Sequence, residues 1–244
     1  MKLSRRLLNG FVRGVVRLLM DVDVSETVKL PQRGPAILLF NHINFTDAPV
    51  FYSHLGHLPI TAFAKTETWD NPIIGKMFTI WEAIPLRRNE ADLGAFELAR
   101  EQLALGKMLA IAPEGTRSGT GQLGPGNPGI LLLALRSNAP IIPLVHYGVE
   151  NLKPNLRRFK RTPFKVLVGQ PFTIRQPEGG LTRDVRKQMV DEVMYQMAAL
   201  LPPQYRGVYA DLSKATEEYL EFQHPAQSNL AAASNPLRAE VQPA

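Results

Sequence analysis

The segment Asn41-His42-Ile43-Asn44-Phe45-Thr46-Asp47 sets an imidazole and a carboxylate five positions apart. On one continuous helix these side chains would point about 140° apart, so they meet only where the chain bends between them. The apolar run Ala36 to Phe40, bounded by Gly34-Pro35, has the length and composition of a buried strand. Asp47 to Leu55 reads as a helix that tolerates Pro49 in its first turn. A strand end, a loop and a helix start supply the bend, at the sheet edge where α/β folds place ligands. A histidine held by a carboxylate is fixed in one tautomer and made more basic, and it can then deprotonate an alcohol without a nucleophilic side chain. Taken alone, a His beside an Asp is more often structural.

A second cluster is Ala112-Pro113-Glu114-Gly115-Thr116-Arg117, after the strand-like Met108 to Ala112. Glycine allows close backbone approach to a ligand, and an arginine grips a phosphate through two hydrogen bonds. The plain alternative is a turn with an exposed arginine. Arg87 and Arg88 follow a short strand at Ala83 to Leu86 and offer more positive charge at the same edge, or a solvated surface.

The elements that must position these residues are legible as alternation. Strands are expected at 59–64, 140–145, 164–168 and 171–174, and helices at 73–80, 90–105, 130–137 and 182–200, with Gly106 as a C-cap. The predicted fold is α/β, a mixed, largely parallel sheet flanked by helices. Its expected division is an amphipathic helix and connector over 1–30, a catalytic domain over 31–222 and a disordered tail over 223–244, where Ala, Ser, Asn, Pro and Gln leave little to bury.

With 244 residues, 45% of them hydrophobic, the chain can bury one substantial core. The net charge of +6 points to an anionic partner: a phosphorylated substrate, an anionic lipid surface or a nucleic acid. Cys 0 excludes disulfides, thiolate nucleophiles and cysteine-ligated zinc, and is compatible with a reducing compartment. There is no run of about 18 uncharged apolar residues, the length of a spanning helix. His54 and His57 lack the further ligands of a metal site. Trp69 and Trp81 suit core packing, a membrane belt or an acyl pocket.

Residues 1–20 form a cationic amphipathic helix. Arg5, Arg6, Arg13 and Arg17 share one arc, and Leu3, Leu7, Phe11, Val15, Leu18 and Leu19 the other. Such a helix lies in the interface of an anionic membrane or docks on the protein core. Lys153, Arg157, Arg158, Lys160, Arg161 and Lys165 form a second basic segment, suited to headgroups, to coenzyme A phosphates or to plain solvation. It lacks the interleaved aromatics of a single-strand nucleic-acid platform, so no nucleic acid is expected as a partner.

Together these segments resemble the 1-acylglycerol-3-phosphate acyltransferases. The family's asparagine-histidine, four residues, aspartate motif is present as Asn41 to Asp47, and its Pro-Glu-Gly-Thr-Arg-Ser motif as Pro113 to Ser118. Ile84-Pro85-Leu86-Arg87-Arg88 and Pro140-Ile141-Ile142-Pro143 match two weaker motifs in family order. The resemblance implies that His42 acts as general base and Asp47 orients it. It implies that Arg88, Glu114, Gly115, Thr116 and Arg117 bind the acceptor's phosphate or headgroup, and that Pro143 shapes the acyl site. It implies no bound cofactor or metal, an acyl-CoA or acyl carrier protein thioester as co-substrate, and a lysophospholipid acceptor, 1-acylglycerol-3-phosphate, converted to phosphatidic acid. The expected setting is the cytoplasmic side of the cell membrane, peripheral or monotopic, reached through residues 1–20. Another lysolipid, a lipid-like alcohol or a non-catalytic lipid-binding role stand as alternatives. Three positions depart from the family pattern: Asn44 replaces a serine, Glu82 a glycine, and Gly124 to Gly129 lacks a lysine common there.

Overall fold

The computed structural model describes residues 2–87, 92–224 and 227–233. Helix α1 (Leu3–Leu19) leads directly into strand β1 (Met20–Asp23). There follow β2 (Ala36–Leu39), α2 (Asp47–His54), β3 (Ile60–Lys65), α3 (Pro72–Ile80), β4 (Ile84–Leu86), α4 (Leu93–Ala104), β5 (Met108–Ile111) and α5 (Gly129–Ser137). The remainder comprises β6 (Ile141–Tyr147), α6 (Leu152–Arg157), β7 (Thr162–Val168), β8 (Thr173–Ile174), α7 (Arg183–Leu200), β9 (Leu220–Glu221) and α8 (Asn229–Ala233).

Seven strands form one sheet in the order β1-β7-β6-β2-β5-β3-β4, and β8 and β9 form a separate pair. The block from β6 to β4 is parallel, whereas β7 runs antiparallel to β6 and carries β1 parallel to itself. This is the mixed, largely parallel sheet with flanking helices that the alternation implies. All four residues of central β2 are buried, because a parallel sheet covered on both faces needs unbroken apolar strands. Ile37 and Leu39 pack with Leu109 under α4, α5 and α7; Ala36 and Leu38 pack with Met108 under α1, α2 and α3. The parallel strands β2, β5 and β6 deliver their following loops to one edge, and the reversed β7 begins at that same edge, with Lys165 beside Tyr147.

Two features differ from the sequence expectation. Residues 20–23, within the expected connector, are a strand of the sheet, paired with β7. Four residues are too few for a period-two pattern to stand out, and β1 is held by long-range contacts such as the Arg161 guanidinium on the Met20 carbonyl at 3.1 Å. The expected tail from Gln223 includes folded chain: Asn229 opens α8, is buried, and accepts the Gln170 N–H at 2.7 Å while its own N–H donates to Gln196 Oε1 at 3.1 Å. Polar residues buried through hydrogen bonds are invisible to a reading by hydrophobicity. Residues 234–244 of that tail lie outside the described residues.

Helix α1 is amphipathic as expected, but it divides its apolar surface. Val12, Val16 and Asn9 are buried, while Leu3, Leu7, Phe11 and Leu18 are 66–78% exposed. Two of its arginines face the protein: Arg5 donates to the Ile60 carbonyl at 3.1 Å and Arg13 to the Ser53 carbonyl. Among the described residues, no helix is long and apolar enough to cross a membrane.

Candidate active site

His42 leaves the C-terminal end of β2, and Asp47 is the first residue of α2. The loop between them closes on the Asp47 carboxylate: Oδ2 lies 2.7 Å from His42 Nδ1 and accepts the N–H groups of Ile43 at 2.7 Å and Asn44 at 3.0 Å. Asn44 braces the same loop, accepting from Thr46 at 2.8 Å and donating to the Val149 carbonyl at 3.1 Å. A carboxylate at a helix N-terminus is also favoured by the helix dipole. Asp47 is fully buried, and burial alone would raise its pKa; the adjacent imidazoles of His146 and His42, the latter in hydrogen-bond contact, outweigh this and hold the carboxyl below the usual range. An ionised carboxylate can only accept, so Asp47 favours the neutral His42 tautomer with its proton on Nδ1 and its lone pair on Nε2.

The Pro113 to Ser118 loop is stitched onto the same turn. Glu114 uses Oε1 to accept the His42 backbone N–H at 3.0 Å and Oε2 to accept that of Gly124 at 3.1 Å. Ser118 and Gly119 donate to the His42 and Ile43 carbonyls at 2.8 and 3.0 Å. Gly115 makes the reversal at φ 67°, a region costly for a side-chain-bearing residue. Burial pushes the Glu114 carboxyl up, opposed by its two backbone donors and by His42. The loop thereby aims Arg117 at the imidazole, its Nε 3.4 Å from His42 Nε2.

A cavity of about 360 Å³ opens at this edge, with His42, Gly115 and Arg117 in its wall together with Lys65 and Arg87. It is otherwise mainly apolar and reaches both faces of the sheet: Leu38, Tyr52, Ala62 and Phe78 on one, Phe63, Phe96, Ile130 and Leu133 on the other. The structure therefore brings His42, Asp47, Gly115 and Arg117 together. Glu114 spends both oxygens on backbone, Thr116 is exposed off the cavity wall, and Pro143 is buried within β6 beside Leu144, which does line the cavity. Arg88 lies outside the described residues.

Sequence reasoning missed His146. Fully buried on β6, it places Nε2 3.2 Å from Asp47 Oδ1, stacks on Phe164 at 4.7 Å between ring centres and meets Phe51 edge-on at 5.3 Å. Asn41 fastens it, exchanging two 2.8 Å hydrogen bonds between its side-chain amide and the His146 backbone. The one signal available was an ionisable residue closing the apolar run Ile141 to Val145 at the ligand-bearing edge.

These features define a class: an α/β domain with a histidine–carboxylate pair and an arginine at the mouth of an apolar cavity. The family model described as Acyltransferase matches residues 21–147, just over half the chain. The chain belongs to this acyltransferase family. It is 27% identical over 135 residues to the chloroplastic 1-acyl-sn-glycerol-3-phosphate acyltransferase BAT2 of Brassica napus, a match covering 54% of this chain and 39% of that protein. With the 1-acyl-sn-glycerol-3-phosphate acyltransferase of Limnanthes alba it shares 30% identity over 148 residues, covering 59% and 50%. The matches thus span half or less of these relatives' length. The fold is similar to the crystal structure of the 1-acyl-sn-glycerophosphate (LPA) acyltransferase PlsC of Thermotoga maritima, with a TM-score of 0.55 and 24% identity over 78% of this chain and 76% of that one.

Proposed function

We propose that the protein transfers a fatty acyl group from a coenzyme A or acyl carrier protein thioester to the free hydroxyl of a lysophospholipid, 1-acylglycerol-3-phosphate being the acceptor that its relatives' names favour. The observation that carries this reading is the 2.7 Å contact of His42 Nδ1 with Asp47, which leaves Nε2 as the base, beside Arg117 and in the wall of an apolar cavity. An acceptor phosphate on the guanidinium puts its hydroxyl within reach of the imidazole. His42 Nε2 takes the hydroxyl proton as the oxygen attacks the thioester carbonyl carbon. The resulting tetrahedral centre then collapses, the carbon–sulfur bond breaks, and the thiolate leaves with the proton returned by the imidazolium. Asp47 stays ionised throughout and stabilises the imidazolium.

An acceptor of this kind resides in a bilayer, and α1 suits such a surface. Its outward ridge of Leu3, Leu7, Phe11 and Leu18 is apolar, and exposed Arg6 and Arg17 flank it. Apolar burial combined with attraction to anionic headgroups, as on a cytoplasmic leaflet, holds such a helix in the interface.

The test is turnover with purified protein, a lysophospholipid panel and a labelled acyl thioester. Wild type transfers the label, and His42→Ala loses about 10²- to 10⁴-fold in rate. No transfer to any acceptor, or a variant as active as wild type, overturns the reading.

A further inference from the structure

Between α6 and β7 the chain reads Arg157-Arg158-Phe159-Lys160-Arg161. Phe159 is 100% exposed and holds φ at 54°, a left-handed conformation that bulky residues avoid. The turn is nonetheless ordered: the Phe159 N–H donates to the Leu156 carbonyl at 3.1 Å, the Lys160 N–H to Asn155 at 2.9 Å, and Asn155 Nδ2 to Thr162 Oγ1 at 3.2 Å. An ordered turn thus presents an aromatic ring fully to water, with no ring partner for it among the described residues.

The surroundings state the chemistry of a partner outside the chain. Arg157, Arg158, Lys160 and Arg161 are all exposed, and among the described residues only Arg161 of these has an ion pair, with Asp21 at 3.5 Å. Ring and cations occupy the same few residues, so the partner offers an apolar phase directly beneath a layer of negative charge. An anionic lipid interface has that layering. The position is equally informative. Lys165 beside Tyr147 puts the start of β7 at the sheet edge from which the His42 loop departs. The pairing of Thr162 with Met20, and Arg161 on the Met20 carbonyl, bring the turn to the end of α1, next to the exposed ridge ending at Leu18.

We propose that this turn is a second bilayer-insertion point, Phe159 entering the acyl boundary and its basic neighbours the headgroups, and that together with α1 it directs the catalytic edge at the lipid. The inference rests on the membrane-surface reading above. A helix alone leaves the molecule free to roll about the helix axis, and a second point removes that freedom. The cavity mouth, where Phe45 is also 62% exposed, then faces the phase that holds the acceptor.

The chain contains Cys 0, so single labelling sites are available without background. Phe159→Cys carrying an environment-sensitive fluorophore is compared with Leu105→Cys, which is also an exposed apolar position but follows α4 at the opposite sheet edge. With phosphatidylglycerol vesicles, the probe at 159 shifts to the blue and the probe at 105 does not. With phosphatidylcholine vesicles, neither shifts. Each of Arg157→Gln and Arg158→Gln weakens sedimentation with phosphatidylglycerol vesicles about fivefold. A probe at 159 that stays aqueous on phosphatidylglycerol vesicles overturns the proposal, as does a shift induced only by coenzyme A or by an oligonucleotide. Since binding is read without turnover, failure of the acyltransfer assay leaves this result standing. A further check uses Phe159→Ser, which retains the wild-type rate on detergent-dispersed acceptor and loses rate on acceptor in vesicles; equal loss in both overturns the orienting role.

Discussion

At the scale of single residues, the site depends on one buried carboxylate shared by two imidazoles. His42 faces the cavity and is the group that moves a proton in the proposed reaction; His146 is buried against Asp47, Phe51 and Phe164. Burial pushes the Asp47 carboxyl up, and the adjacent His146 imidazole is the largest influence holding it down. A carboxyl depressed in the folded state contributes stability above its ordinary value near 3.8, and that contribution disappears as pH falls through the lower folded value. His146→Phe, a change that conserves ring stacking on Phe164, therefore moves both acid unfolding and the acidic limb of kcat/KM to higher pH. A circular-dichroism acid titration and a pH–rate profile check this, and curves coincident with wild type would show that His146 has no hold on Asp47. The motif His42 to Asp47 was readable because both partners lie within one short loop. His146 was not, since its partner is 99 positions away and only the sheet register brings them together.

Elements add a second kind of information. The alternation of apolar runs marked every strand of the parallel block, because a strand covered on both faces must be apolar throughout. It did not mark β1, whose Met20 is buried but whose aspartates are exposed, and it did not say which side of α1 turns inward. That choice is made by polar groups. Asn9 accepts from the Trp81 indole N–H at 2.9 Å inside the core, and Arg5 and Arg13 reach main-chain carbonyls. The two faces of α1 are therefore separable. Asn9→Ala leaves the indole donor of a fully buried Trp81 unpaired and lowers stability by about 1–3 kcal/mol in denaturant unfolding, with vesicle binding unchanged. Serine at Leu3, Leu7, Phe11 and Leu18 gives the opposite pattern: wild-type unfolding and lost sedimentation with anionic vesicles. If the ridge variant unfolds early and still sediments, the outward face packs on protein and α1 is no membrane contact.

On the scale of the whole molecule, the cavity is what no local pattern reveals. It is assembled from side chains of β2 to β6 and α2 to α5, and its width depends on small residues placed where strands would otherwise carry large ones. Ala62 and Ala110, side by side on β3 and β5, leave the sheet surface thin opposite Tyr52 and Phe78, with Tyr52 stacked on Trp81 at 4.6 Å and so held in place. In the proposed reaction, an acyl chain entering past His42 on this face runs along the alanines, and its permitted length is set by how far it travels before meeting Tyr52 and Leu55. Ala62→Leu projects a branched side chain into that path without touching His42, Asp47 or Arg117. The expected result is a shift in donor preference: kcat/KM for the longest accepted thioester falls by about tenfold or more, while short donors retain their rates. A thioester series of increasing chain length measures it directly. A uniform fall across the series would mean a damaged fold, and an unchanged profile would mean that the acyl chain lies instead on the opposite face, among Phe63, Phe96 and Leu133.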